Sequence, residues 1–208
     1  MKGTFIVLGV FAAGCVTGWL GLLPVDPAEE KLTTYVLYAM MFLVGITIGS
    51  NPDLKKILKS ISPKLLLLPL VSILGTLAFS AAASLLLGKW GAADCLAVGS
   101  GMAYYSLSSI LISGYKEMSL GAQLAAELGT ISLLTNIFRE MFTLAAAPFL
   151  TKRLCPFATI ASAGATAMDV SLPVILRYGG GEMLPAAVIS GIVSDFSVPI
   201  LVTFFCSL

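Results

Sequence analysis

The sequence contains no histidine and little charge: Asp, Glu, Lys and Arg make up 11% of its 208 residues, against roughly a quarter in an ordinary soluble domain. Without histidine the commonest general base is missing, so Ser-His-Asp and Cys-His catalysis are excluded. Any proton chemistry falls to carboxylates, Tyr or Lys. Zinc and haem sites lose their usual nitrogen ligand as well. The four cysteines, Cys15, Cys95, Cys155 and Cys206, stand in or beside apolar runs with no CxxC spacing and read as small core hydrophobes. No metal and no cofactor is expected. Neither sign of charge dominates: twelve Lys plus Arg against eleven Asp plus Glu leave +1, which excludes the polybasic surface that holds nucleic acid.

Apolar sequence takes the place of charge, at 58% of residues. A membrane-spanning helix needs roughly 20 mostly apolar residues to cross a hydrocarbon core about 30 Å thick. Residues 4–23, 32–49, 65–87, about 120–150 and 184–208 meet that length. The chain is therefore read as an all-α, multi-pass integral membrane protein with about five full spans. The first run faintly resembles a lipoprotein signal at Ala12, Ala13, Gly14 and Cys15, but it continues apolar past Trp19, so an uncleaved helix is expected. Lys55, Lys56, Lys59 and Lys64 crowd one short loop, which assigns residues 51–64 to the cytoplasm. Counting back puts the N-terminus in the cytoplasm and the acidic loop with Asp26, Glu29 and Glu30 outside. Trp90 then falls at the outer interface.

Two stretches are apolar enough for membrane depth yet do not read as ordinary helices. Residues 92–114, AADCLAVGSGMAYYSLSSILISG, are broken at Gly99, Ser100 and Gly101, and carry Ser106, Ser108 and Ser109. Residues 158–181, ATIASAGATAMDVSLPVILRYGGG, break at Gly164 and carry Asp169, Ser171 and Pro173. Each is a broken helix or a re-entrant hairpin. Irregular backbone at that depth is tolerated only against protein or a watery cavity, and interrupted apolar segments are the best sequence pointer to a transporter's binding site. The pairs Gly14/Gly18 and Gly45/Gly49 read instead as helix-packing motifs. One transmembrane domain, residues 1–208, is expected, with a three-helix unit over 1–87 and the broken segments in 88–208.

Charges within such runs are costly and mark cavities or partners. Glu127, Arg139, Glu140, Asp169 and Asp195 are the residues concerned. Arg139 and Glu140 are adjacent, about 100° apart on a helix, so they cannot both face one narrow cavity. Arg139 either joins the site or neutralises Asp169 or Asp195. Glu140 and Asp169 are candidate cation ligands or proton carriers, and Asn136, one turn before Glu140, shares its face. Tyr104 and Tyr105 are either pocket walls or interface anchors. Tyr105, Ser106, Ser108 and Ser171 complete the candidate polar contacts. The rival reading is a membrane-embedded hydrolase with an Asp169/Asp195 dyad, which needs two carboxylates sharing a proton.

Four blocks, Gly101-Met-Ala-Tyr-Tyr-Ser-Leu-Ser-Ser-Ile-Leu-Ile, Asn136-Ile-Phe-Arg-Glu140, Gly164-Ala-Thr-Ala-Met-Asp169-Val-Ser-Leu-Pro173-Val-Ile and Glu182-Met-Leu-Pro185-Ala-Ala, resemble in order and spacing the bacterial lysine exporters of the LysO type. The resemblance covers essentially the whole chain. It implies an inner-membrane secondary transporter that expels L-lysine and toxic lysine analogues against protons, with functional acids falling on Glu140 and Asp169. A transporter of this fold for another small solute is the nearer alternative. Full-length members carry about three further helices before the matched region, so the resemblance implies a partnership with a separately encoded three-helix subunit or a second copy of the chain.

Overall fold

The computed structural model describes residues 63–208, together with isolated positions 13, 16, 17, 20, 42 and 46. Apart from those isolated positions, the expected spans 4–23 and 32–49 lie outside the described residues, as do the acidic loop, residues 51–62 of the basic loop, both glycine packing motifs and Cys15. The chain divides into two compact units, Met1–Val36 and Leu37–Leu208. In the first, Thr17 Oγ1 donates to Ala13 O, one helical turn earlier, at 3.0 Å. Residues 63–208 all belong to the second.

All described secondary structure is helical. Helix α1, Pro63–Ser84, occupies the third expected span, and proline at the opening of a helix forfeits only an amide that had no partner. Few of its residues are covered, and Leu67, Leu70, Val71, Leu74 and Phe79 are exposed. The first broken segment becomes α2, Ala92–Gly99, and α3, Tyr105–Leu120. A single residue, Gly121, at φ 81°, separates α3 from α4, Ala122–Phe149. At 1.5 Å per residue this 28-residue helix is about 42 Å long. A π turn over Leu150–Leu154 leads to α5, Pro156–Ala163; a 3-10 turn, Gly164–Met168, and α6, Leu172–Gly179, complete the second broken segment. Finally α7 runs Leu184–Cys206. Of these elements, Leu65–Ser84 and Gly181–Cys206 are long and apolar enough to cross a membrane by length and composition.

Both broken segments turn back on themselves. Asp94, in the first turn of α2, accepts from the Gly91 amide at 3.1 Å through Oδ2, and its Oδ1 lies 3.0 Å from Lys116 Nζ near the far end of α3. The outer ends of α2 and α3 are thereby tied together. In the second segment a Cβ at Gly179, the end of α6, would stand 3.4 Å from Pro156 Cβ at the start of α5. The first hairpin opens at the N-terminal end of α4 and the second at its C-terminal end, so they approach each other tip to tip. Where the tips meet, the Ala165 amide donates to Met102 O at 2.9 Å.

Packing follows residue size. Leu107, Leu111, Ile112, Leu128, Val198 and Val202 set the first hairpin against α4 and α7. Around the second hairpin the core is largely alanine, with Ala163, Ala167, Ala186 and Ala187 beside Ile160 and Ile175, and small residues are what allow helices to pack closely when lipid supplies no hydrophobic drive.

The Asp94–Lys116 pair is buried, with side chains 12% and 8% exposed. Breaking such a pair from one side strands a charge at a cost of roughly 3–5 kcal/mol, whereas replacing both partners by apolar residues is often neutral. Lys116→Met is expected to lower the melting temperature of the purified protein by on the order of 10 °C. Adding Asp94→Leu should recover most of that loss in the same thermal scan.

Candidate functional site

Helix α4 supplies one polar face to both hairpin tips. Asn136 Nδ2 donates to Ser132 O at 2.9 Å and Val98 O at 3.4 Å, while its Oδ1 accepts from the Ala103 amide at 2.8 Å. This side chain ties the first tip to α4. The tip needs such a hold because Met102 (φ 45°) and Ala103 (φ 70°) are left-handed, a conformation that costs a residue with a Cβ of order 1–3 kcal/mol. Two turns along the same face, Thr143 Oγ1 and Ser162 Oγ stand 2.7 Å apart, joining α4 to the second hairpin. Glu140 lies between these attachments, one turn beyond Asn136.

Where the tips meet is a cavity of about 220 Å³ lined by Ala103, Tyr104, Tyr105, Ser106, Glu140, Ala165, Thr166, Met168, Asp169, Val170 and Asp195. Glu140 and Asp195 are 2% and 6% exposed, whereas Asp169 is exposed. Two acids thus lie deep and one at the rim. Asp169 Oδ1 accepts from the amide of Val170 and lies within electrostatic reach of Tyr104, Tyr105 and Asp195. Helix α7 presents Asp195 one turn beyond Gly191, against which Met168 rests. Among the described residues, three carboxylates and no Lys or Arg line the cavity.

Residues 8–206 match the family described as lysine exporter LysO. The chain belongs to that family. It is 32% identical over 200 residues to the "Lysine exporter LysO" of Escherichia coli K12, an overlap covering 95% of this chain and 62% of that protein. It is 28% identical over 204 residues to the "Putative lysine exporter" of Haemophilus influenzae, covering 97% of this chain and 95% of that one. The chain therefore spans less than two thirds of its E. coli relative and nearly all of the Haemophilus relative. No solved structure matches.

Of the residues singled out in the sequence, Tyr104, Tyr105, Ser106, Glu140, Asp169 and Asp195 meet at the cavity. Four others do not line it. Ser108 accepts from Ser132 Oγ at 3.1 Å and is buried. Ser171 Oγ stands 2.9 Å from Thr166 Oγ1, bracing the second tip as Asn136 braces the first. Arg139 points away from Glu140, as adjacent helical positions must. Its Nε and Nη2 donate to Ser162 O at 2.9 Å and Ala161 O at 3.1 Å, and Nη1 reaches Thr76 Oγ1 at 3.4 Å. Among the described residues it pairs with no acid, contrary to the expected partners Asp169 and Asp195. The physical reason is the C-terminal end of α5, whose last carbonyls lack helical partners and carry the negative end of the dipole, so a guanidinium satisfies them. Glu127 pairs with Lys89, both largely exposed, away from the cavity. Trp90 packs partly buried against the core, with Lys89 Nζ 4.9 Å from its ring centroid.

Thr166 and Met168 also line the cavity, though neither stands out in the sequence as a polar or charged intruder. Their signal is position, between the break at Gly164 and the acid at Asp169.

Proposed function

We propose that this chain moves L-lysine, and toxic lysine analogues, out of the bacterial cell across the inner membrane in exchange for protons. The observation that carries this reading is the cavity at the hairpin tips, whose lining brings together the three carboxylates of Glu140, Asp169 and Asp195. Lysine brings two ammonium groups, and a carboxylate that binds an ammonium in one state can bind a proton in the next. Expelling a cation against its gradient asks for such an exchange. Glu140 and Asp169 are the exchanging pair, with Asp195 as third acid and Tyr105 and Ser106 as polar walls; Asn136, Ser108, Ser171 and Arg139 fix the backbone that shapes them. The names of the E. coli and Haemophilus relatives support the cargo.

In this reading the two hairpins are re-entrant. The first enters from outside and the second from the cytoplasm, the N-terminus is cytoplasmic, and the non-helical tips are tolerated because each satisfies the other and α4 satisfies both. The part of the E. coli relative that this chain does not match would be supplied by a separately encoded three-helix subunit or by a second copy of the chain.

Asp169 and Asp195 share one cavity, which is also what an aspartyl hydrolase would need. A dyad, however, leaves Glu140 without a role, and the family's named members are exporters.

The test is expression of this chain in an exporter-deficient bacterium challenged with a toxic lysine analogue, with and without a co-expressed three-helix neighbour. Protection is expected, and its dependence on the neighbour decides between the two assemblies. No protection in either case, with the protein in the membrane, would overturn lysine as the cargo.

A further inference from the structure

A lysine molecule carries a carboxylate as well as two ammonium groups, and the lining acids repel it. The amide N–H groups of a helix's first turn point back past its N-terminus and have no helical acceptor. Two N-termini face the breaks, and they differ. At α6 the Leu172 amide donates to Asp169 O, Val174 and Ile175 donate to Ser171 O, and Pro173 has no N–H. That end is already satisfied. At α3 the cap residue Tyr104 offers no side-chain acceptor, and the amides of Tyr105, Ser106 and Leu107 have none among the described residues. Ala103, Tyr104, Tyr105 and Ser106 all line the cavity, so the axis of this 16-residue helix ends in it.

A second observation points to a ligand in the same place. Asp195 is 6% exposed, lines the cavity, and has no hydrogen-bond or ion-pair partner among the described residues. A buried carboxylate without a partner is costly, and a cationic group entering the cavity would satisfy it. The cavity thus offers one end for negative charge and another for positive.

We infer that the N-terminus of α3 binds the α-carboxylate of the substrate while Asp195, with Glu140 and Asp169, takes its ammonium groups, so that the site reads an amino acid and not merely a diamine. This rests on the proposed exporter reading and names the geometry of its site. Tyr104 and Tyr105 are the other titratable groups in the lining among the described residues, and neither is a cation.

The measurement is displacement of radiolabelled lysine from the purified full chain, with any subunit that co-purifies, by lysine, lysinamide and 1,5-diaminopentane. Lysine is expected to displace label at concentrations at least tenfold lower than the other two, which lack the carboxylate. Ser106→Pro removes one amide at the second helical position, where this chain already carries Pro173 in α6 and Pro185 in α7. That variant should narrow the preference to threefold or less by weakening lysine alone. Equal displacement by lysine and 1,5-diaminopentane in the unaltered chain would overturn the inference and leave the exporter reading standing, even if the proline variant fails to fold. An undiminished preference in folded Ser106→Pro would place the carboxylate elsewhere and likewise overturn it. Failure of the chain to bind labelled lysine at all would sink both.

Discussion

Asp169→Asn is expected to abolish protection against a lysine analogue, and Glu140→Gln to do the same, with both proteins present in the membrane at unchanged amounts. Each substitution keeps the shape of the side chain and removes its charge. A hydrogen bond to a charged group contributes about 1.5–3 kcal/mol, so losing one carboxylate weakens cation binding by roughly 10- to 100-fold. The second loss is larger. An amide takes up no proton, so the proposed step in which lysine leaves as a proton arrives would disappear with the acid. Asp169 stands at the exposed rim and Glu140 deep in the cavity, so one meets the ligand early and the other late on its way in. The assay is growth in a graded series of analogue concentrations beside an immunoblot of the membrane fraction. Growth equal to the unaltered chain in either variant would remove that residue from the mechanism.

Gly164→Ala is expected to prevent the two hairpins from docking. Gly164 sits at φ 61°, and a Cβ there would fall 2.4 Å from Met102 O, which already accepts from the Ala165 amide. Backbone cannot retreat as a side-chain end can. The first tip is also held in place, with Met102 and Ala103 left-handed and Ala103 bonded to Asn136. Either the tip contact opens, leaving a buried carbonyl and amide unpaired at about 1–3 kcal/mol each, or the strained tip moves and loses its hold on Asn136. The combined loss is several kcal/mol, a large fraction of a typical domain's stability. In practice the variant should accumulate poorly and melt far below the unaltered protein, and Gly164→Pro should be no better. A folded Gly164→Ala protein of normal thermal stability would show that the tips do not meet through Met102 and Ala165.

The glycines that interrupt apolar runs, at Gly99, Gly101 and Gly164, were legible as breaks because the apolar residues around them favour an unbroken helix. The acids Glu140, Asp169 and Asp195 were legible because charge in an apolar run is rare. The division of labour among the polar residues was not. Asn136 sits on the same face as Glu140, and only the approach of the Ala103 amide, from a different segment, makes it a support for the tip. Arg139 read either as part of the site or as a partner for an acid, since opposite charges are what sequence can pair; the carbonyls at the end of α5 that it satisfies carry no signature in side chains. The meeting of Met102 with Ala165, more than sixty positions apart, depends on how α4 spaces the two hairpins. The left-handed backbone at Met102 and Ala103 follows from that meeting and not from residue type.

The most direct test of proton-coupled export is lysine uptake into proteoliposomes containing this chain, with its subunit where one is needed, under an imposed pH gradient with an acidic interior. The expected result is uptake of labelled lysine that a protonophore collapses and that Glu140→Gln lacks. Absence of uptake by correctly inserted protein, or uptake indifferent to both the gradient and the carboxylate, would contradict it.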